Sequence, residues 1–266
     1  MSKKHRVENG SKFKLNKVDP NDTDGFTRDE AEAATKADVE RLSKLHERFF
    51  VDNRHSLLII LQAMDTGGKD GTIKHVFRGI NPIGCQVTSF KAPTADELDH
   101  DFLWRISNAL PPRGNFGIFN RSHYEDVLIV RVHDLVPKDT WMKRYEHINR
   151  FEKLLADEHT IILKFFLYIS KDEQKERLEE RLADPEKHWK FDPRDLDERK
   201  HWDDYIDAYD DVIKKCSAPW APWYVVPANK KWYRNYVVAN ALVETLSAMD
   251  LRLPKLKFNP AKMKVV

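Results

Sequence analysis

Two patterns alternate along the chain. Unbroken or nearly unbroken apolar runs at Leu57 to Leu61, Phe116 to Phe119, Thr160 to Ile169 and Trp223 to Val226 read as buried strands, with a further short strand at Cys85 to Phe90. Between them, apolar residues recur at helical spacing. Val39, Leu42, His46 and Phe49 mark a helix before the first strand, and Leu98, Phe102 and Ala109 one over Asp96 to Leu110, ended by Pro111 and Pro112. Trp141, Tyr145, Ile148 and Leu155 stripe a third, and Trp232, Tyr236, Ala239, Val243 and Leu246 stripe the last. Strands that alternate with helices predict an α/β fold with a parallel sheet covered on both faces. One segment breaks the alternation. Ala183 to Lys200 is highly charged, holds two prolines and has no apolar period, after which Trp202, Tyr205, Ile206, Tyr209 and Ile213 resume a helix. The expected organisation is an arm over 1–34, a core domain over 35–250 with the excursion at 183–214, and a basic tail over 251–266.

Composition narrows this picture. A chain of 266 residues with 41% apolar residues suits one core with insertions. The net charge of +2 argues against a generally basic nucleic-acid binder, although local patches can still hold a polyanion. The arm runs from basic (Lys3, Lys4, Arg6, Lys12) to acidic (Asp19, Asp22, Asp24), which reads as a solvated segment or, less simply, a polyanion-binding one. Cys85 and Cys216 give no disulfide framework and are expected as reduced thiols. No apolar run approaches ~20 residues, and the N-terminus lacks an apolar signal region. A cytoplasmic protein without membrane or nucleic-acid partners is expected.

The chemistry concentrates at LLIILQAMDTGGKDGT, residues 57–72. A buried strand meets a glycine-rich turn, and Ile73, Val76 and Phe77 then open a helix. Gly67, Gly68 and Gly71 let backbone N–H groups converge on an anion at a helix N-terminus, and Lys69 supplies a cation. This order makes a P-loop kinase the leading reading, ahead of a plain strand–turn–helix with a surface lysine. The loop departs from G-x-x-x-x-G-K-[ST]: Ala63 replaces the first glycine, and Asp70 stands where a hydroxyl would bind magnesium. Asp65 is the nearest replacement ligand.

The second constellation follows the strand ending at Phe119, in Asn120, Arg121, Ser122, His123, Tyr124, Glu125 and Asp126. In open parallel sheets, ligands sit beyond the carboxyl ends of strands. Phosphoryl transfer needs a metal held by carboxylates and cations on the phosphoryl oxygens, roles open to Glu125, Asp126 and Arg121. An incidental polar turn is the alternative. A nucleotide's terminal phosphate is already mostly a dianion at neutral pH, so no base is required and His123 is assigned to hydrogen bonding or packing. Arg177 and Arg181 share a helix face at the mouth of the charged excursion, where Lys187 and Lys190 add positive charge. That excursion fits a mobile lid as well as it fits an ordinary surface loop. Phosphate contacts are thus expected from Thr66, Gly67, Gly68, Lys69, Asp70, Gly71 and Thr72, from Arg121 and Ser122, and from Arg177, Lys187 and Lys190.

The combination AMDTGGKDGT, FNRSHYEDV, DPEKHWKF followed by WDDY, and APWYVVPANKKWYRN resembles the polyphosphate kinase 2 family over roughly residues 35–250. The resemblance implies a P-loop kinase core of the thymidylate-kinase type with a helical lid. It implies magnesium-dependent transfer, with manganese as a substitute, of the terminal phosphoryl of inorganic polyphosphate to adenine or guanine nucleotides or the reverse. A homodimer or homotetramer goes with it. By position, Lys69 would hold the transferring phosphate, Asp65 would help hold the metal, Arg121 would contact the phosphate chain, and Arg181 would reach in from the lid. Many members have an aspartate where this chain has Asn120, and an asparagine where it has Glu125. That exchange resembles the class III subgroup, which phosphorylates nucleoside mono- and diphosphates, with Asp65, Asn120 and Glu125 as the metal set. An ATP-dependent kinase on the same core, or a nucleotide-binding module without turnover, remain the other readings of the residues.

Overall fold

The computed structural model describes residues 2–8, 12–255, 259–260 and 263. Its strands are β1 (Arg6–Val7), β2 (Ser56–Ala63), β3 (Cys85–Ser89), β4 (Phe116–Asn120), β5 (Thr160–Tyr168) and β6 (Trp223–Pro227). The helices are α1 (Arg28–Asp52), α2 (Lys69–Val76), α3 (Ala95–Leu98), α4 (Trp104–Asn108), α5 (Ile129–Val132), α6 (Lys138–Asp157), α7 (Lys171–Ala183), α8 (Arg194–Glu198), α9 (Trp202–Cys216) and α10 (Lys231–Ser247).

The strands form one sheet in the order β1-β6-β5-β2-β4-β3. All neighbours are parallel except β1, which runs antiparallel to β6. β2 is buried along its whole length because it lies between β4 and β5, with Ile60 opposite Phe119 on one side and Lys164 on the other. The chain leaves β2 for β3 and β4 on one flank and builds β5 and β6 on the other. Strand order therefore reverses at β2, and a crevice opens at its carboxyl end. Helices α1, α2 and α10 pack together, and α5, α6 and α9 form a second group. Together they cover the sheet, which is why β2 and β5 read as near-continuous apolar runs.

Three expectations change. α1 starts at Arg28, inside the stretch read as an arm, because Thr27 and Glu30 form a reciprocal capping box. The rest of that stretch is not a solvated arm: Val7 pairs with Trp223, and Leu15 is buried while its N–H donates to Asp210 Oδ1 at 2.8 Å. The single helix expected over 96–110 is two short ones. Asp101 caps the N–H of Leu103 at 2.9 Å and restarts the chain there, leaving Leu98 exposed. Cys85 and Cys216 are free thiols. Of the tail 251–266, residues 256–258, 261–262 and 264–266 lie outside the described residues.

Candidate active site

The loop between β2 and α2 closes tightly on itself. A Cβ at Gly67 would lie 2.5 Å from the Ala63 Cβ and 2.8 Å from the Met64 carbonyl oxygen, so only glycine fits. Gly68 caps α2 at φ 98°, and a Cβ there would strike the Arg234 guanidinium. Lys69 curls back so that its Nζ donates to the Ala63 carbonyl at 3.1 Å. Burial draws its ammonium down to about 8; nearby Arg121 pushes the same way, while Asp65, Glu125 and Asp70 oppose. The Thr66 Oγ1 is buried without a partner. Thr72, expected at the phosphate, instead donates its hydroxyl to the Gly68 carbonyl at 3.1 Å.

The turn after β4 sorts its polar residues by direction. Arg121 takes φ 64° and its Nη2 donates to Asp65 Oδ1 at 2.8 Å, which brings the turn against the loop. Asn120 Nδ2 donates to Asp70 Oδ1 at 2.7 Å, and Gln62 Nε2 to Glu125 Oε1 at 3.1 Å. A short 3-10 turn, His123–Val127, then points the remainder away. Ser122 is fully buried and caps the turn, its Oγ accepting from the Tyr124 N–H at 3.2 Å. Asp126 faces Arg144 at 3.1 Å and Arg105 at 3.9 Å, so it anchors the turn to α6 and α4. Both placements have one cause, because a tight turn cannot aim consecutive side chains at the same point. His123 is buried against Glu152, in line with its assignment to packing.

Arg177 and Arg181 part company. Arg177 Nε pairs with Glu173 at 2.7 Å, Nη1 donates to the Thr66 carbonyl at 3.0 Å, and Nη2 to Ala228 and Asn229 carbonyls at 2.7 and 3.1 Å. It braces the loop from behind and is no phosphate clamp. Arg181 Nη1 donates to the Lys190 carbonyl at 3.1 Å and pairs with Asp195 at 3.5 Å. Asp195, on α8, lies within the field of Asp65 and Arg121 and was passed over by sequence reasoning among the charges of its segment. Burial and the field of Asp65 push its carboxyl up to about 6, with Arg181 opposing. Lys187 pairs with Asp184 at 2.7 Å and Lys190 lies over the exposed Trp189 ring; both are at the surface. Arg234 is buried beside Arg177 and against Gly68 and Gly71, with its Nη2 on Asn235 Oδ1 at 2.8 Å. Tyr205 and Tyr209 of α9 are held protonated chiefly by burial, helped at Tyr205 by Glu198, which accepts its hydroxyl at 2.7 Å, and at Tyr209 by the field of Glu125.

Asp65, Asp70 and Glu125 offer hard oxygens at this point, although no three metal-ligating side chains converge among the described residues. That fits magnesium, which takes one or two carboxylates and fills its shell with substrate phosphates and water. The Asn120 Nδ2 donates to Asp70, and the Asn120 Oδ1 is the atom a metal would take.

A strand, a phosphate loop capped by a lysine, and a cationic turn at the strand-order reversal define a P-loop phosphotransferase. The polyphosphate kinase 2 family profile matches residues 25–254, and the chain belongs to that family. It is 52% identical to the AMP/ADP-polyphosphate phosphotransferase of Meiothermus ruber, over 95% of this chain and 96% of that one. It is 46% identical to the ADP-polyphosphate phosphotransferase of Rhodopseudomonas palustris, over 99% and 95%. The crystal structure of polyphosphate kinase 2 from Arthrobacter aurescens TC1 superposes with a TM-score of 0.94 at 47% identity, covering 98% of this chain and 93% of that one.

Proposed function

We propose that this protein moves the terminal phosphoryl group of inorganic polyphosphate to AMP and ADP, giving ADP and ATP, and runs the reverse reaction. The observation that carries the reading is the meeting of Lys69, Arg121, Asp65 and Glu125 at the carboxyl end of β2. The 52% relative named for AMP and ADP supports the choice of acceptors.

The acceptor's phosphate oxygen attacks the terminal phosphorus, and the bond from that phosphorus to its bridging oxygen breaks. Polyphosphate leaves one unit shorter, with its new terminal oxygen carrying the charge. The acceptor oxygen is already ionised near neutral pH, so no side chain has to remove a proton. Lys69 and the loop N–H groups hold the phosphoryl oxygens, and Arg121 faces the charge that builds as the bond exchanges. Magnesium, held through Asp65 and Glu125 with Asp70 close by, would supply further charge neutralisation. The segment from Pro185 to His201 would close over the site, with Arg181 as its inward cation, and keep water from the phosphoryl group.

Purified protein given polyphosphate, magnesium and ADP without ATP should make ATP, and with AMP should make ADP first. Turnover only when ATP is the donor would replace this reading with an ordinary nucleotide or metabolite kinase. Nucleotide binding with no turnover from any donor would leave a binding module. Guanine nucleotides as acceptors, manganese as a substitute metal and a homodimeric or homotetrameric state belong to the same proposal. They are read by exchanging acceptor and metal in that assay and by light scattering. No helix among the described residues is long and apolar enough to cross a membrane.

A further inference from the structure

β5 carries one charged residue inside an otherwise apolar run, Lys164 in TIILKFFLY, and it is fully buried. Its Nζ donates to the Tyr124 hydroxyl at 2.8 Å, to Glu152 Oε2 at 2.5 Å and to the Cys216 carbonyl at 2.6 Å. All three ammonium donors are thereby used. The Tyr124 hydroxyl donates on to Glu152 Oε1 at 2.8 Å, which also faces His123 Nε2 at 3.3 Å. Burial holds Tyr124 protonated and His123 neutral, and Lys164 keeps Glu152 ionised.

Such a network is poor evidence for stability, because apolar replacements of similar volume are often as stable or more so. Its membership points elsewhere. Tyr124 lies between Arg121 and Glu125 on the turn that faces the phosphate loop. Glu152 belongs to α6, Lys164 to the strand beside β2, and Cys216 ends α9, the helix that follows the lid segment. Arg121 sits in the left-handed region at φ 64°, a conformation that persists when its surroundings hold it. The phenol of Tyr124 ties that turn to β5 and α6.

We propose that Lys164, Glu152 and Tyr124 are positioning residues that hold Arg121 and Glu125 in register with Lys69 and with α9. This rests on the phosphoryl-transfer reading above. The network touches no substrate and acts only through the turn.

The test compares wild type with the all-apolar triple variant Lys164→Met, Glu152→Leu, Tyr124→Phe, and with Tyr124→Phe alone. The triple variant leaves the His123 ring and the Cys216 carbonyl without these partners, so it should fold but melt below wild type. At a temperature where it is fully folded it should lose at least tenfold in kcat, with a smaller change in the KM for polyphosphate. Amide hydrogen exchange over residues 121–127 should be faster in both variants, and Tyr124→Phe should show a milder fall in kcat. A well-folded triple variant with wild-type kcat and unchanged exchange overturns the proposal. If the triple variant does not fold, Tyr124→Phe decides by itself: wild-type kcat and exchange overturn the proposal. A wild type that transfers no phosphoryl group would refute the proposed reaction instead, while the exchange comparison still judges the network.

Discussion

Lys69 makes the most demanding prediction, because its charge is costly until a phosphate arrives. Its ammonium falls from the ordinary 10.5 to about 8, a difference of ~3 kcal/mol against the charged form. One phosphate charge ~4 Å away returns ~4 kcal/mol at an effective dielectric of ~20, enough to restore an ordinary lysine. Binding of tripolyphosphate should therefore take up about half a proton at pH 8 and weaken about tenfold between pH 7 and pH 9. Lys69→Met should bind weakly at both, with no such slope. Titration calorimetry in two buffers of different ionisation enthalpy measures both quantities. The stability effect has the opposite slope. A lysine lowered in the folded state destabilises fully below pH 8, and that cost is relieved as pH rises from 8 to 10.5. Unliganded Lys69→Met should thus be more stable than wild type at pH 7, by at most ~3 kcal/mol, with the gap closing toward pH 10.5. A flat wild-type affinity to pH 9, or the same slope in Lys69→Met, would refute the reasoning.

Arg181→Ala should lower kcat more than it raises KM, since its guanidinium is shared with Asp195 until the transition state draws it in; a pure KM effect makes it a binding residue. Glu125→Asn should depress AMP phosphorylation at least tenfold relative to ADP, about 1.4 kcal/mol between the barriers. The rival view, that Glu125 only pairs with Arg121 or Arg131, is weakened because those arginines pair with Asp65 and Asp211; an unchanged AMP-to-ADP ratio at saturating polyphosphate would revive a purely structural role. Asp195→Asn should tighten polyphosphate binding severalfold at pH 7.5 by releasing Arg181. The gain should shrink at pH 5, below the carboxyl's value of about 6, and a gain of equal size at both pH values would rule out the charge of Asp195 as its cause.

The phosphate loop and its flanks were legible because three constraints coincide there: a fully buried strand, glycines that no Cβ can replace, and a lysine at a helix start. The strand of Lys164 was equally plain, but the lysine within it had no meaning until residues 12, 40 and 52 positions away came together on it. Polar density located the second constellation without ranking its members. Glu125 and Asp126 are neighbours in sequence, yet one faces Gln62 and the loop while the other faces Arg144. Arg177 and Arg181 share a helix face, so spacing suggested one job for both; depth separates them, since only Arg177 reaches the loop carbonyls. The arm misled because isolated apolar residues such as Val7 and Leu15 make no period, although each finds a core site.

β1 also sets the margins of the sheet. A sheet with two open edges can add neighbours at both ends and grow without limit, whereas a sheet with one open edge can only pair and stop. Here β1 covers β6 and offers a margin only two residues long, leaving β3, with Val87 exposed, as the longer open margin. Among the described residues, the backbone left without a neighbouring strand is thus longer on the β3 side than on the β1 side. The amino-terminal segment that read as a solvated arm from its charges is what shortens the other margin.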